Sequence, residues 1–142
     1  MIILLAALLP SLAPQGTDWP QWRGPTRDGV WMESGVTTSL PDVITPRWST
    51  QIGSGYCGPT VADGRVYVMD RLDEAKEIER VHCLDWQTGK ILWNYEYDCS
   101  YAGVSYRAGP RCSVLIDDGF AYSLGTMGNL LCFEAKTGEV VW

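Results

Sequence analysis

The chain is short of several things at once: it has two Phe, one His and no adjacent pair of Cys, and its 11 Lys and Arg are outnumbered by 17 Asp and Glu. The resulting net charge of −6 opposes wrapping around a phosphate backbone, so no nucleic-acid partner is expected. With the single histidine, His82, inside a strand-like run, no Ser-His-acid set can be drawn, and no glycine loop has the pattern of a phosphate cradle. Hydrolase and nucleotide-binding readings fall away. No two of Cys57, Cys83, Cys99, Cys112 and Cys132 are three or four positions apart, which removes the usual zinc spacing. An apolar run from Ile2 to Leu12 is broken by Pro10 and falls short of the about 20 residues that a membrane-spanning helix needs.

What is present is enough for one ordinary domain: 142 residues, 46% hydrophobic, with 15 Gly and 8 Pro. Seven Trp and seven Tyr favour side chains with an apolar body and a polar edge. Residues 1–16 read as a signal peptide without its basic head, with a mature start near Thr17, and so predict export to the periplasm or cell envelope. Residues 17–45 read as an extended leader. Because Trp142 follows directly on an apolar run, the sequence reads as a fragment.

The chain repeats itself. Val81-His82-Cys83-Leu84-Asp85-Trp86-Gln87-Thr88-Gly89-Lys90-Ile91-Leu92-Trp93 returns as Leu130-Leu131-Cys132-Phe133-Glu134-Ala135-Lys136-Thr137-Gly138-Glu139-Val140-Val141-Trp142, with matched residues 49 positions apart. Upstream the offset is 55, as between Tyr67 and Tyr122, and the charged stretch Arg71 to Arg80 holds the six extra residues. A period near 50 with short apolar runs and Gly turns predicts an all-β chain, a partial β-propeller made of four-stranded antiparallel blades, about two blades of a larger ring. Asp63-Gly64, Thr88-Gly89, Asp118-Gly119 and Thr137-Gly138 read as turns between strands. The predicted strands are 59–62, 65–69, 80–84 and 90–97 in a blade spanning 58–97, then 113–116, 120–124, 129–133 and 139–142 in a truncated blade spanning 111–142. Leu92, Val140, Val141, Val66, Val68 and Leu131 are the expected core, and Arg71 to Glu77 an exposed hairpin tip of mixed charge.

Within each copy a small residue is followed two places on by an acid, five places on by Thr-Gly and ten places on by Trp. The acid accepts hydrogen bonds that close the turn, and the glycine lets a flat surface approach the backbone. An indole lying there buries about 150–250 Å² and keeps its N–H for a carbonyl. Cys83, Asp85, Thr88, Gly89 and Trp93, and again Cys132, Glu134, Thr137, Gly138 and Trp142, resemble the tryptophan-docking motif of quinoprotein-type (PQQ-like) propeller repeats, with Cys in place of the usual Ala and Glu134 in place of the shorter acid. Asp18-Trp19-Pro20-Gln21-Trp22-Arg23-Gly24-Pro25 is similar to the leader of exported bacterial proteins of this group.

The resemblance implies that the outermost strand of the closing blade comes from the N-terminus, and residues 46–52 look like that strand. It also extends to propeller lipoproteins of outer-membrane protein assembly, which bind protein partners through loops; no lipid-attachment Cys follows the apolar leader here, the first being Cys57. Quinone dehydrogenases of this fold carry a vicinal Cys pair and a quinone (PQQ) with calcium, and the chain has no vicinal pair. The resulting expectation is a non-catalytic module with no cofactor, for protein or ligand binding or scaffolding; the alternative is part of a PQQ-dependent alcohol or sugar dehydrogenase. The connection 98–111 concentrates Tyr101, Tyr106, Arg107 and Arg111, residue types favoured at binding hot spots, and is the candidate recognition loop. In an oxidising compartment Cys99 and Cys112 are the expected disulfide partners.

Overall fold

A computed structural model describes residues 18–35, 37, 39–73 and 76–142; the expected signal peptide at 1–16 lies outside them. Alternating apolar and polar residues, punctuated by Asp-Gly, build a four-stranded antiparallel sheet in chain order: β1 (Thr60–Ala62), β2 (Arg65–Asp73), β3 (Glu77–Asp85) and β4 (Ile91–Asp98). A second sheet repeats the pattern with β5 (Leu115–Asp117), β6 (Phe120–Leu124) and β7 (Leu130–Glu134). Both first hairpins turn through two residues of positive φ, Asp63 (48°) with Gly64 (70°) and Asp118 (45°) with Gly119 (81°), the geometry that matches the twist of the flanking strands. Residues 139–142 pair with β7 without forming a regular strand: the Cys132 amide donates to Trp142 O (2.9 Å) and Val141 N donates to Cys132 O (2.8 Å). The first sheet has its own irregularity at the equivalent place, a register shift between Cys83 and Leu84.

Three expectations need correction. Residues 46–52 form no strand, because no neighbouring strand lies alongside among the described residues; Trp48 and Thr50 act through their side chains instead. Leu92, Val140 and Val141 are exposed: the alternation along β4 turns Trp93, Tyr95 and Tyr97 inward and Leu92 outward, while Val140 and Val141 lie on the irregular stretch that pairs with β7. The stretch 71–77 is an exposed tip only in part: β2 and β3 pair out to Asp73 and Glu77, and Asp73 and Lys76 are exposed, but Arg71 is only 4% exposed.

The core lies between the two sheets, where Tyr67, Met69, Val81, Cys83, Val114, Ala121 and Phe133 are almost wholly buried. Trp93 and Tyr95 from β4 close on Phe133, with ring centroids 5.7 and 5.2 Å away. Full burial of a ring such as Phe133 is worth roughly 2–3 kcal/mol, so this aromatic seam is a main source of cohesion between the sheets. On the other side of the molecule the N-terminal segment stitches the first strands together: Trp19 exchanges two backbone hydrogen bonds with Val61 of β1 (2.7 and 2.9 Å), and Ile116 N of β5 donates to Pro20 O (2.8 Å).

Candidate binding face and the joint between the sheets

The turn after β3 is closed by one carboxylate oxygen. Asp85 Oδ1 accepts from the Thr88 hydroxyl (2.7 Å), the Thr88 amide (2.8 Å) and the Gln87 amide (3.2 Å), and these bonds, the Thr88 hydroxyl foremost, hold its pKa below the ordinary value. Gly89 then takes a positive φ of 69°, and the Trp48 indole covers it, with Nε1 donating to Trp86 O (2.9 Å) while the Thr50 hydroxyl donates to Gly89 O (2.6 Å). In the second copy Trp93 covers Gly138 (φ 76°) and donates Nε1 to Ala135 O (3.0 Å). That carbonyl also accepts from Tyr67 OH (3.1 Å), so two residues of the first sheet hold one turn of the second. Glu134 closes its turn through the backbone, with Gly138 N donating to Glu134 O (2.8 Å) and Thr137 N to the same oxygen (3.2 Å). Trp142 is exposed and, among the described residues, meets only Tyr122 as a ring neighbour, at 6.2 Å.

A polar network spreads from β3 to the 98–111 connection. Glu77 Oε1 accepts from Arg71 Nη2 (2.6 Å) and Arg107 Nη2 (2.9 Å), and its Oε2 from the Tyr101 amide (3.0 Å) and the Ser100 hydroxyl (3.1 Å). The Tyr101 amide is the largest of the influences that pull the Glu77 carboxyl down to about 2. Two residues further along, fully buried Glu79 accepts from Tyr101 OH, from Tyr97 OH (2.5 Å) and from the Thr126 amide (3.0 Å). Burial alone would raise the Glu79 pKa, and these donors outweigh it; burial and the neighbouring carboxylate push both tyrosine hydroxyls upward. Asp70, also fully buried, is held well below the carboxylate range against the cost of burial by His82, by Arg80 and by the Gly53 amide.

The four loop residues separate into two kinds. Tyr101 is not at the surface: it is 0% exposed, and the Arg71 guanidinium lies 4.2 Å above its ring, so it supports the loop from beneath. Tyr106 is 80% exposed and Arg107 half-exposed, while Arg111 donates to Ser105 O (2.6 Å) and Tyr106 O (2.8 Å) and lies 5.6 Å over the exposed Tyr56 ring. Tyr56, Arg71, Glu77, Glu79 and Thr126 belong to the same assembly and are missed by the sequence reading. For Arg71 and Glu79 the signal is the opposition of charge in β2 and β3, where Arg71 faces Glu79 and Asp70 faces Arg80. The expected Cys99–Cys112 bridge is absent: all five thiols are free, and Cys99 is buried where Cys112 is exposed. An open cleft of about 350 Å³ beside Glu77 is lined by Lys76, Asp98, Cys99 and Ser100.

The donor set bears on the fit of a calcium-held quinone, which needs several oxygen ligands that converge. Among the described residues no three or more of His, Cys, Asp and Glu come together, and Asp70, Glu77 and Glu79 are each engaged by cationic, hydroxyl or amide donors. These residues do not fit that group. No helix among the described residues is long and apolar enough to cross a membrane.

The chain is similar to a europium-containing methanol dehydrogenase (TM-score 0.57, 16% identity, 91% of this chain and 23% of that one), a likeness of fold. It is also similar to BamB from Moraxella catarrhalis (TM-score 0.45, 18% identity, 75% of this chain and 29% of that one). It thus spans less than a third of either solved chain. No curated protein matches it. Residues 45–142 match the family model described as outer membrane protein assembly factor BamB, and the chain therefore belongs to this family of PQQ-like β-propeller repeat proteins.

Proposed function

We propose that the chain contributes to a non-catalytic module of the bacterial cell envelope, which binds another protein through the outer rim of the 98–111 connection. The observation that carries this is Tyr106, a bulky residue held at a φ of 57° and 80% exposed. A left-handed backbone at such a residue costs on the order of 1–3 kcal/mol and persists where the surroundings fix it, as Arg111 does by holding the Tyr106 and Ser105 carbonyls. Tyr106, Arg107, Arg111 and Tyr56 then form a pre-set aromatic and cationic rim on a loop pinned from below by Glu77 and Tyr101. The adjoining cleft is open, which suits a protein surface better than a small molecule needing enclosure. The family's description as an outer membrane protein assembly factor supports the envelope setting and a protein partner.

The test is site-directed photocrosslinking from position 105 in the full chain inside the producing bacterium. A discrete protein adduct, lost in the Tyr106→Ala, Arg107→Ala double variant, is expected. No adduct, or one whose yield ignores that variant, overturns the proposal. A quinone absorbance with dye-linked alcohol oxidation in the purified protein supports the dehydrogenase reading in its place.

A further inference from the structure

Two irregular segments that precede β1 of the first sheet and β5 of the second, 54–58 and 109–113, run side by side. A methyl group on Gly109 would stand 2.5 Å from Ser54 O, the Tyr56 amide donates to Pro110 O (2.8 Å), the Arg111 guanidinium covers the Tyr56 ring, and the position of a Cβ on Gly58 is 3.6 Å from Ser113 Oγ. In parallel pairing an amide donates to the residue before its partner, which sets Tyr56 opposite Arg111. Ser54 with Gly109, Tyr56 with Arg111 and Gly58 with Ser113 keep one constant sequence spacing, so Cys57 falls opposite Cys112. The same offset of 55 relates Tyr67 to Tyr122, so the two cysteines hold equivalent places in successive repeats.

Where the Tyr56 amide bonds Pro110 O the two chains approach at about the 4.8 Å spacing of hydrogen-bonded neighbours, inside the Cα separation of about 4.4–6.8 Å that a disulfide bridges. The Cys57 thiol is raised mainly by burial, and the Cys112 thiol is near enough to add to the effect. Cys83, Cys99 and Cys132 are buried away from solvent, whereas Cys112 is exposed.

We propose that Cys57 and Cys112 form a disulfide joining the two sheets when the chain meets a small-molecule disulfide such as oxidised glutathione. The deprotonated Cys112 sulfur attacks one sulfur of the oxidant, giving a mixed disulfide and expelling one glutathione thiolate, which takes up the proton that Cys112 lost. Cys57 then gives up its proton, and with it its hydrogen bond to Met69 O (3.0 Å), and attacks the Cys112 sulfur, expelling the second glutathione as a thiol. Two protein thiols are oxidised to one S–S bond, and one glutathione disulfide is reduced to two thiols. None of these steps depends on whether the rim that holds Tyr56 and Arg111 binds a partner.

The experiment incubates the full chain with glutathione disulfide, quenches with acid, alkylates free thiols in denaturant and maps unreduced peptides by mass. A monomer in which Cys57 is linked to Cys112, with Cys83, Cys99 and Cys132 alkylated, is expected, together with a melting temperature that falls by several degrees on reduction. The Cys99→Ser variant should keep the link, and Cys112→Ser should lose both the link and the redox dependence of melting. Five alkylated thiols, a bridge that includes Cys99, or a link found only between two chains would each overturn the proposal, and the unsubstituted chain alone suffices to decide.

Discussion

The indole of Trp93 lies so close over Gly138 that a β-carbon there would sit 2.6 Å from Cδ2 of the ring. Trp93 belongs to the first sheet and Gly138 to the second, so this contact reads out the joint between them. Gly119 has a similar positive φ of 81° but open space around it. Alanine at Gly119 should therefore cost only the backbone strain, about 1–2 kcal/mol. Gly138→Ala should cost clearly more, because the ring must also move. Equal losses in denaturant unfolding of the two variants would show that the ring is not held there.

Trp93 makes two separable contributions. Trp93→Phe should cost about 1 kcal/mol, from the lost bond to Ala135 O and the smaller ring, while Trp93→Ala should cost about 3–5 kcal/mol through the void left against Tyr67 and Phe133. Calorimetric unfolding of both variants checks the order and the gap.

The two turns of the repeat differ in their acid. Asp85 gathers three donors, whereas the turn at Glu134 is closed by the main chain. Shortening the side chain by Glu134→Asp should bring a carboxylate within reach of Thr137 and raise the melting temperature, and Asp85→Glu should lower it. A shift in the opposite sense in either variant would contradict this account.

The Glu79 cluster is costly to break from the acid side. Glu79→Ala leaves Tyr97 OH, Tyr101 OH and the Thr126 amide without their shared acceptor, at about 3–5 kcal/mol; Tyr101→Phe removes one donor, at about 1–3 kcal/mol. Hydrogen exchange at Thr126 should quicken in Glu79→Ala and far less in Tyr101→Phe.

Acid should weaken the fold before base does. Glu77 falls from its ordinary 4.5 to about 2 on folding, so its contribution is whole above pH 4.5 and is lost as pH drops toward 2, with Asp70, Glu79 and Asp85 acting in the same direction. Cys83 and Cys99 are raised by burial from 9.0 to about 11, so their neutral forms contribute below pH 9 and the contribution is lost above it. A stability plateau between about pH 4.5 and 9 is expected under reducing conditions, with a shallower acid limb in Glu77→Gln.

The strands are legible because alternation and Asp-Gly dipeptides are local signals, and each places a chain reversal without help from distant residues. Trp93 and Gly138 are legible for another reason: the motif occurs twice, and comparing the copies supplies the long-range information that a single copy lacks. Arg71 and Glu79 are not legible as buried, nor Glu77 as half-buried, because their charge is held by partners distant in sequence: Tyr97 on β4, Tyr101 and Arg107 in the 98–111 connection, and Thr126 in the turn between β6 and β7. Tyr101 is misread for the same reason. A tyrosine in a loop looks available until the partner beneath it is known. Residues 46–52 have the composition of a strand, yet pairing needs a neighbour, and that requirement is not written in the segment itself.

The bond from Ile116 N to Pro20 O also has a temporal meaning. During synthesis Pro20 leaves the ribosome long before Ile116 exists, so the opening segment must wait, unpaired on that side, until the second sheet emerges. Such distant pairing slows folding and leaves the early residues to chaperones or to chance encounters in the interval. The first stretch of the described chain therefore docks on the second sheet only after β5 has been made, and Ile116→Pro, which deletes the donor, should delay acquisition of protease resistance around residues 18–20 more than it alters β2 and β3.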